Sequence, residues 1–287
     1  MSARRPAPAS PAGTLKLRLT IAYDGARYAG WQVQQTGVGV QQRVEEALAR
    51  IFPTGPRLHS ASRTDTGVHA LGMVAHFEVP VAEFRLPLAK VPLALNAHLP
   101  PDIRVMAAGR CRAEFHARFT ATGKQYRYFV WNHPAMNPLW AGRAWHVPRP
   151  LNRQAMRLAA RAFVGRHDFR SFAANRGYEP TSTIRTVRRC ELRSQGPLLV
   201  WIIEADGFLY KMCRGLVGTL VQVGLGKIPA GSLTQILRRR DRRVAGMSAP
   251  AHGLVLWKVF YPSRTGPRRS GGSSVSARLG APAKPEA

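Results

Sequence analysis

Apolar residues alternate with others from Leu15 through Leu17, Leu19 and Ile21 to Tyr23, a pattern that predicts a half-buried strand. Asp24-Gly25 breaks it. Val40, Val44, Ala47, Leu48, Ile51 and Phe52 then recur at spacings of 4, 3, 1, 3 and 1, the stripe of an amphipathic helix that Pro53 stops. Further strands are expected over 73–79 and 103–111. Between them 86–98 reads as helix, despite Pro87 and Pro92.

The second half runs similarly. Tyr126 to Val130 reads as a strand. Leu151, Ala155, Leu158, Ala159, Ala162 and Phe163 repeat the same helical spacing, with Gly165 as the expected stop. Segments 184–192 and 198–205 make a hairpin-like pair around Gln195-Gly196-Pro197. Leu209, Met212, Cys213, Leu216, Val217, Leu220 and Val221 mark a long helix, and 254–261 a last strand. The halves look like a weak duplication of an α+β unit. The shared helix pattern is thin support, because any amphipathic helix shows it.

Composition sharpens this picture. The 287 residues suit one large domain or two ordinary ones. Residues 1–13 and 263–287 are rich in Pro, Ala, Gly and Ser, and read as disordered tails. No run of about 18 apolar residues spans a membrane, and no apolar run follows Arg4 and Arg5, so no secretory signal is expected. Lys and Arg number 43 against 15 Asp and Glu, a formal charge of +28, and 36 of the basic residues are Arg. A folded chain this basic points to a polyanionic partner, nucleic acid before a membrane surface. Arginine forks onto phosphate and stacks on bases, which suits RNA. Cys111, Cys190 and Cys213 are too scattered for a disulfide framework or a metal pair, and a reducing compartment fits them. The histidines show no zinc-binding spacing.

Ser62-Arg63-Thr64-Asp65-Thr66-Gly67-Val68-His69 carries the first candidate chemistry. Asp65 is a rare acid in a turn-like stretch, and Arg63 would favour its ionised form. An ionised carboxylate can act as nucleophile or base. The bland alternative is an Asx-turn onto the backbone near Gly67. Asp65-Thr66-Gly67 is also the D-T-G of aspartic proteases, but a single copy would need a dimer, and Arg63 opposes a shared proton. In Lys124-Gln125-Tyr126-Arg127-Tyr128 the two tyrosines share one face of a strand. They suit base stacking or, equally, a core. Lys211, Arg214, Gly218 and Gln222 share a face of the late helix. Gly215 and Gly218 inside it suggest close approach by backbone or ligand.

Taken in order, these segments resemble the tRNA pseudouridine synthase A family over nearly the whole folded region. The resemblance is carried by Tyr23-Asp24-Gly25, Tyr28 and Gly30-Trp31-Gln32; by Arg63-Thr64-Asp65, Gly67-Val68-His69-Ala70; and by Leu95-Asn96, Leu99-Pro100 and Asp102-Ile103. It continues through Phe115-His116-Ala117-Arg118-Phe119, Lys124, Tyr126-Arg127-Tyr128, Asp168-Phe169, Gly207-Phe208-Leu209, Met212, Arg214, Val217-Gly218-Thr219-Leu220 and Ala249-Pro250-Ala251. Departures fall at Ser62, where the family often has Gly, at Gly215, commonly Asn, and at Tyr210 and Lys211, where His is common.

The resemblance implies an α+β fold: two pseudo-repeated α/β sandwich halves share a continuous, mixed, mostly antiparallel sheet with a central cleft. The halves would be 14–112, holding the Asp loop, and 113–262. It implies isomerisation of uridine to pseudouridine at positions 38, 39 and 40 of the anticodon stem-loop of tRNA, after the base is flipped out. Asp65 would be the nucleophile, Arg63 and Arg214 its catalytic-site neighbours, and Tyr126 the residue that packs on the target uracil. No cofactor and no metal are implied. The partners would be tRNA and a second copy of the chain, in the cytoplasm. A non-catalytic RNA-binding protein on the same scaffold is the other reading, and fold alone does not decide between them.

Overall fold

The computed structural model describes residues 13–174 and 181–262. The expected tails lie outside them, apart from Gly13. In chain order the elements are β1 (Thr14–Tyr23), α1 (Val40–Ala49), β2 (His59–Ser60), β3 (His69–Pro80), α2 (Val91–His98), β4 (Ile103–Arg110), β5 (Gly123–Trp131), β6 (Trp145–His146), α3 (Arg153–Ala160), β7 (Gly165–Asp168), β8 (Ile184–Gln195), β9 (Leu198–Ala205), α4 (Met212–Gly224), α5 (Leu233–Arg239) and β10 (Leu254–Phe260).

The ten strands form one sheet with the path β4-β1-β3-β10-β5-β9-β8-β7, while β2 adds to β3 and β6 to β5. Only β3–β10 and β5–β6 run parallel. The sheet is thus continuous, mixed and mostly antiparallel, as expected. Strands from residues 14–112 lie on one side of the β3–β10 seam, and those from 113–262 on the other. The seam itself is short, with Val255 opposite His69 and Leu256 opposite Ala70.

The alternating β1 pattern does its expected work: Leu17, Leu19 and Ile21 are buried. Val40, Val44, Ala47 and Leu48 pack α1 onto the same core, but the helix ends at Ala49 and Phe52 is buried from a turn. Pro87 and Pro92 shorten the second expected helix. Each sits at the start of a short element, where a missing N–H costs nothing, so the chain forms a 3₁₀ turn over Leu88–Lys90 and then α2. Asn152 caps α3 by accepting from the Ala155 N–H at 2.9 Å.

The largest displacement is in the late helix. The apolar stripe begins at Leu209, yet α4 starts at Met212 because Lys211 takes a left-handed conformation, φ 57°. Gly165 also differs from expectation. With φ 118° it opens β7 after a 3₁₀ turn over Arg161–Phe163, so it does not cap α3 directly. Gly215 and Gly218 meet backbone: a Cβ on Gly215 would lie 2.5 Å from the Phe172 carbonyl oxygen, and Gly218 faces the Met247 carbonyl more closely still.

Candidate active site

Asp65 lies in the loop between β2 and β3. Neighbouring groups pin that loop on several sides. The Tyr23 hydroxyl bonds Thr64 Oγ1 at 2.7 Å, in the core beneath it. Trp31 N–H donates to the Thr64 carbonyl at 3.1 Å. That approach needs Gly30, whose φ is +90° and whose added Cβ would stand 2.6 Å from the same oxygen. Val68 N–H closes the turn onto the Asp65 carbonyl at 3.1 Å. His69 locks the far end, where Gly25 N–H donates to its Nδ1 at 3.0 Å and its Nε2 meets the His252 carbonyl at 3.1 Å.

Arg214, in the first turn of α4, supplies the ion pair. Its Nη1 is 3.5 Å from Asp65 Oδ2, and both side chains are only 15% exposed. Its Nε donates to the Ala249 carbonyl at 2.7 Å, and Ala249 N–H returns a bond to the Arg214 carbonyl at 2.9 Å. A guanidinium held this way orients the carboxylate it pairs with. Arg63 behaves differently. It is exposed and lines the cleft wall, so the charge pairing expected from it falls to Arg214.

The two tyrosines of β5 divide the alternatives between them. Tyr128 is core, fully buried, with its hydroxyl donating to the Pro250 carbonyl at 2.8 Å. Tyr126 is 6% exposed and lines the cleft. Its hydroxyl meets Ser62 Oγ at 3.2 Å, and its ring packs edge-on against Phe208 at 4.9 Å. Burial pushes the Tyr126 phenol up, and Cys213 and Asp65 add to this. It is therefore a neutral hydroxyl. Burial likewise raises the Cys213 thiol well above its usual range, with Cys190 and Asp65 contributing. That thiol is an inert piece of wall.

Ser62, Thr64, Asp65, Tyr126, Phe208 and Cys213 border one cleft of about 1040 Å³. Arg57, Arg63, Arg118, Lys124, Arg185 and Lys211 line it, and Asp65 is the only carboxylate among the described residues that do. Burial, with Arg118 and Arg185 nearby, lowers Lys124 to about 8. Among the described residues there is no group of three or more His, Cys, Asp or Glu that could hold a metal, and no helix is long and apolar enough to cross a membrane.

The sequence reading brought Asp65, Arg63, Arg214 and Tyr126 forward. Asp65, Arg63 and Tyr126 line the cleft, and Arg214 backs Asp65. It missed Thr64 and Ser62 as anchors, because a hydroxyl in a loop carries no mark of its distant partner. It also missed Arg57, Arg118 and Arg185 as cleft residues. Each comes from a different segment, and no local spacing relates them.

An ion-paired carboxylate in a cleft that several Arg and Lys side chains line suits a polyanionic partner. The comparisons fix the class. A sequence profile described as tRNA pseudouridine synthase matches residues 19–120 and 159–262, well over half of the chain. The tRNA pseudouridine synthase A of Methylacidiphilum infernorum is 43% identical over 245 residues, 85% of this chain and 95% of that one. Its counterpart in Thermoanaerobacter sp. is 42% identical over 243 residues, covering 85% and 98%. That of Bacillus licheniformis is 41% identical over 251 residues, covering 86% and 99%. This chain belongs to the tRNA pseudouridine synthase family and is an isomerase. Among solved structures, a chain in a Cbf5–Nop10–Gar1 complex overlaps 82% of this chain and 47% of its own, at 12% identity and a TM-score of 0.35.

Proposed function

We propose that the chain isomerises uridine to pseudouridine at positions 38, 39 and 40 of the anticodon stem-loop of tRNA. The observation that carries this reading is the Asp65 carboxylate, paired with Arg214 at 3.5 Å in a cleft that several Arg and Lys side chains line and, among the described residues, no other carboxylate, in a member of this family. The C1′–N1 bond of the uridine breaks, the uracil turns over, and C1′ bonds C5. The C5 proton leaves and N1 gains one, so the isomerisation is redox-neutral and calls for no cofactor or metal.

The target base must leave its stack to reach Asp65. The cleft cations bind backbone phosphates, which position the RNA without reading its bases. That suits an enzyme serving three neighbouring positions. Asp65 is the nucleophile, and Arg214 aims it through the ion pair. Arg63, exposed at the wall, is placed to grip phosphate or to fill the gap the flipped base leaves. Tyr126 packs on the uracil. As a neutral phenol it passes a proton only by accepting one as it gives one up, so Asp65 or water takes the C5 proton in the first instance. The division at 112/113 into two domains, the cytoplasmic location and a homodimer with tRNA across both copies belong to the same reading.

Tritium release from [5-³H]uridine-labelled tRNA tests it, comparing the native chain with Asp65→Ala. Release by the native chain alone is expected, with RNA affinity largely kept by the variant. Normal release by Asp65→Ala would remove Asp65 as nucleophile. Absence of release from both, with tRNA still bound, would favour a non-catalytic RNA-binding role.

A further inference from the structure

Another stretch of the same cleft wall is aromatic. It comes from β2 and the turn over residues 116–120, and nothing in the proposed reaction uses it. His59, His116 and Phe119 all line the cleft. The Phe119 ring stands 4.2 Å from that of His116 at an interplanar angle of 32°, and His59 lies 5.9 Å from His116. His76 closes the cluster from the core, 4.7 Å from His116 and 5.2 Å from His59.

The cluster is built rather than incidental. The His116 Nδ1 accepts the backbone N–H of Arg118 at 3.1 Å and that of Phe119 at 3.3 Å. The His116 carbonyl accepts Thr120 N–H at 3.0 Å and Thr120 Oγ1 at 2.7 Å. Ala117 N–H donates to His76 Nδ1 at 3.2 Å. These bonds fix the turn, and Phe119 is nevertheless 60% exposed. The Arg118 guanidinium lies 5.7 Å from the Phe119 ring centre. Burial, with the neighbouring histidines and Lys16, holds His76 at about 3, and burial also lowers His116. The histidines that pack beside and beneath Phe119, His116 and His76, are thus held toward their neutral form, and Arg118 edges the aromatic surface. Five residues separate His59 from Asp65, and this surface lines the same cleft as the carboxylate.

We infer that Phe119, backed by His116 and edged by Arg118, is a second nucleobase subsite: it stacks one unpaired base of the bound RNA, other than the target uracil, while Arg118 meets that nucleotide's phosphate. A fixed exposed ring next to a guanidinium is what sequence-tolerant base stacking requires. This inference rests on the reading of the chain as a tRNA-modifying enzyme.

The test places 2-aminopurine, one position at a time, at unpaired positions of an anticodon stem-loop, with the native chain, Phe119→Leu and Phe119→Trp. Stacking quenches this base. One position should be quenched by the native chain and by Phe119→Trp, and should brighten with Phe119→Leu. Phe119→Leu, apolar and mild at so exposed a site, should bind the stem-loop roughly tenfold more weakly, and Phe119→Trp should restore the affinity. Quenching indifferent to residue 119 at every position, or equal affinity for Leu and native, would overturn the subsite. Tritium release on the same RNA reads the isomerisation separately, so quenching without release would sink the proposed reaction and keep the subsite.

Discussion

The two walls that meet at Asp65 are held by partly different means. Both walls carry glycine contacts that tolerate no added carbon: Gly25 on Val68 and Gly30 on Thr64 on the β2–β3 side, Gly215 on Phe172 and Gly218 on Met247 on the α4 side. The β2–β3 loop adds side-chain bonds, Tyr23 on Thr64, Tyr126 on Ser62 and His69 on Gly25, whereas Arg214 is bonded to the Ala249 backbone in both directions. Hydroxyl contacts can be altered atom by atom. The carboxylate's wall is therefore the one that can be adjusted through its hydroxyls, and the wall of its counter-ion is the more rigid.

Four substitutions probe that contrast, in falling order of effect. Arg214→Lys keeps the charge but has no fork to serve both Ala249 and Asp65. Turnover should fall about 100-fold, or ~2.7 kcal/mol, with RNA affinity changed far less. Single-turnover kinetics separate the two. Gly218→Ala should destabilise the chain by about 1–3 kcal/mol through overpacking, read as a lower Tm, and should drag Arg214 with it. A native Tm and rate would show that the α4 wall can give. Thr64→Val leaves the buried Tyr23 hydroxyl without its partner and should cost about 1–2 kcal/mol. Adding Tyr23→Phe should restore most of that in a double-mutant cycle, an outcome open to the adjustable wall only.

Lys124 gives the smallest effect. Its pKa near 8 lies below the ordinary lysine value, so its charge is full below that pH and is lost as pH rises through it. The slope of log affinity against log salt should shrink by less than about one unit between pH 7 and 9. Lys124→Arg should abolish that change.

Local elements were legible wherever one segment carried its own pattern. β1 and the β8–β9 hairpin emerged close to their observed bounds, because alternation and turn residues are local signals. β3 emerged four residues short at its start. His69 pairs with Val255, and Ala70 with both Leu256 and Tyr23, partners remote in the chain. The start of α4 was displaced because an apolar stripe continues through Lys211 although the backbone there does not. Asp65 could be singled out as a rare acid beside glycine. Its pairing with Arg214, and the arginines facing it, depend on how the sheet halves meet, which no window of sequence contains.

The narrow junction between β3 and β10 also sets a timetable. β10 lies late in the chain but in the middle of the sheet, between β3 and β5. Until residues 254–260 have been synthesised, both of those strands present open edges, the feature most prone to mispairing. Non-local pairings of this kind form slowly. Ala249, which holds Arg214, comes just ahead of that closing strand. The support of the Asp65 ion pair and the strand that joins the sheet are thus made together, after every other strand of the described sheet.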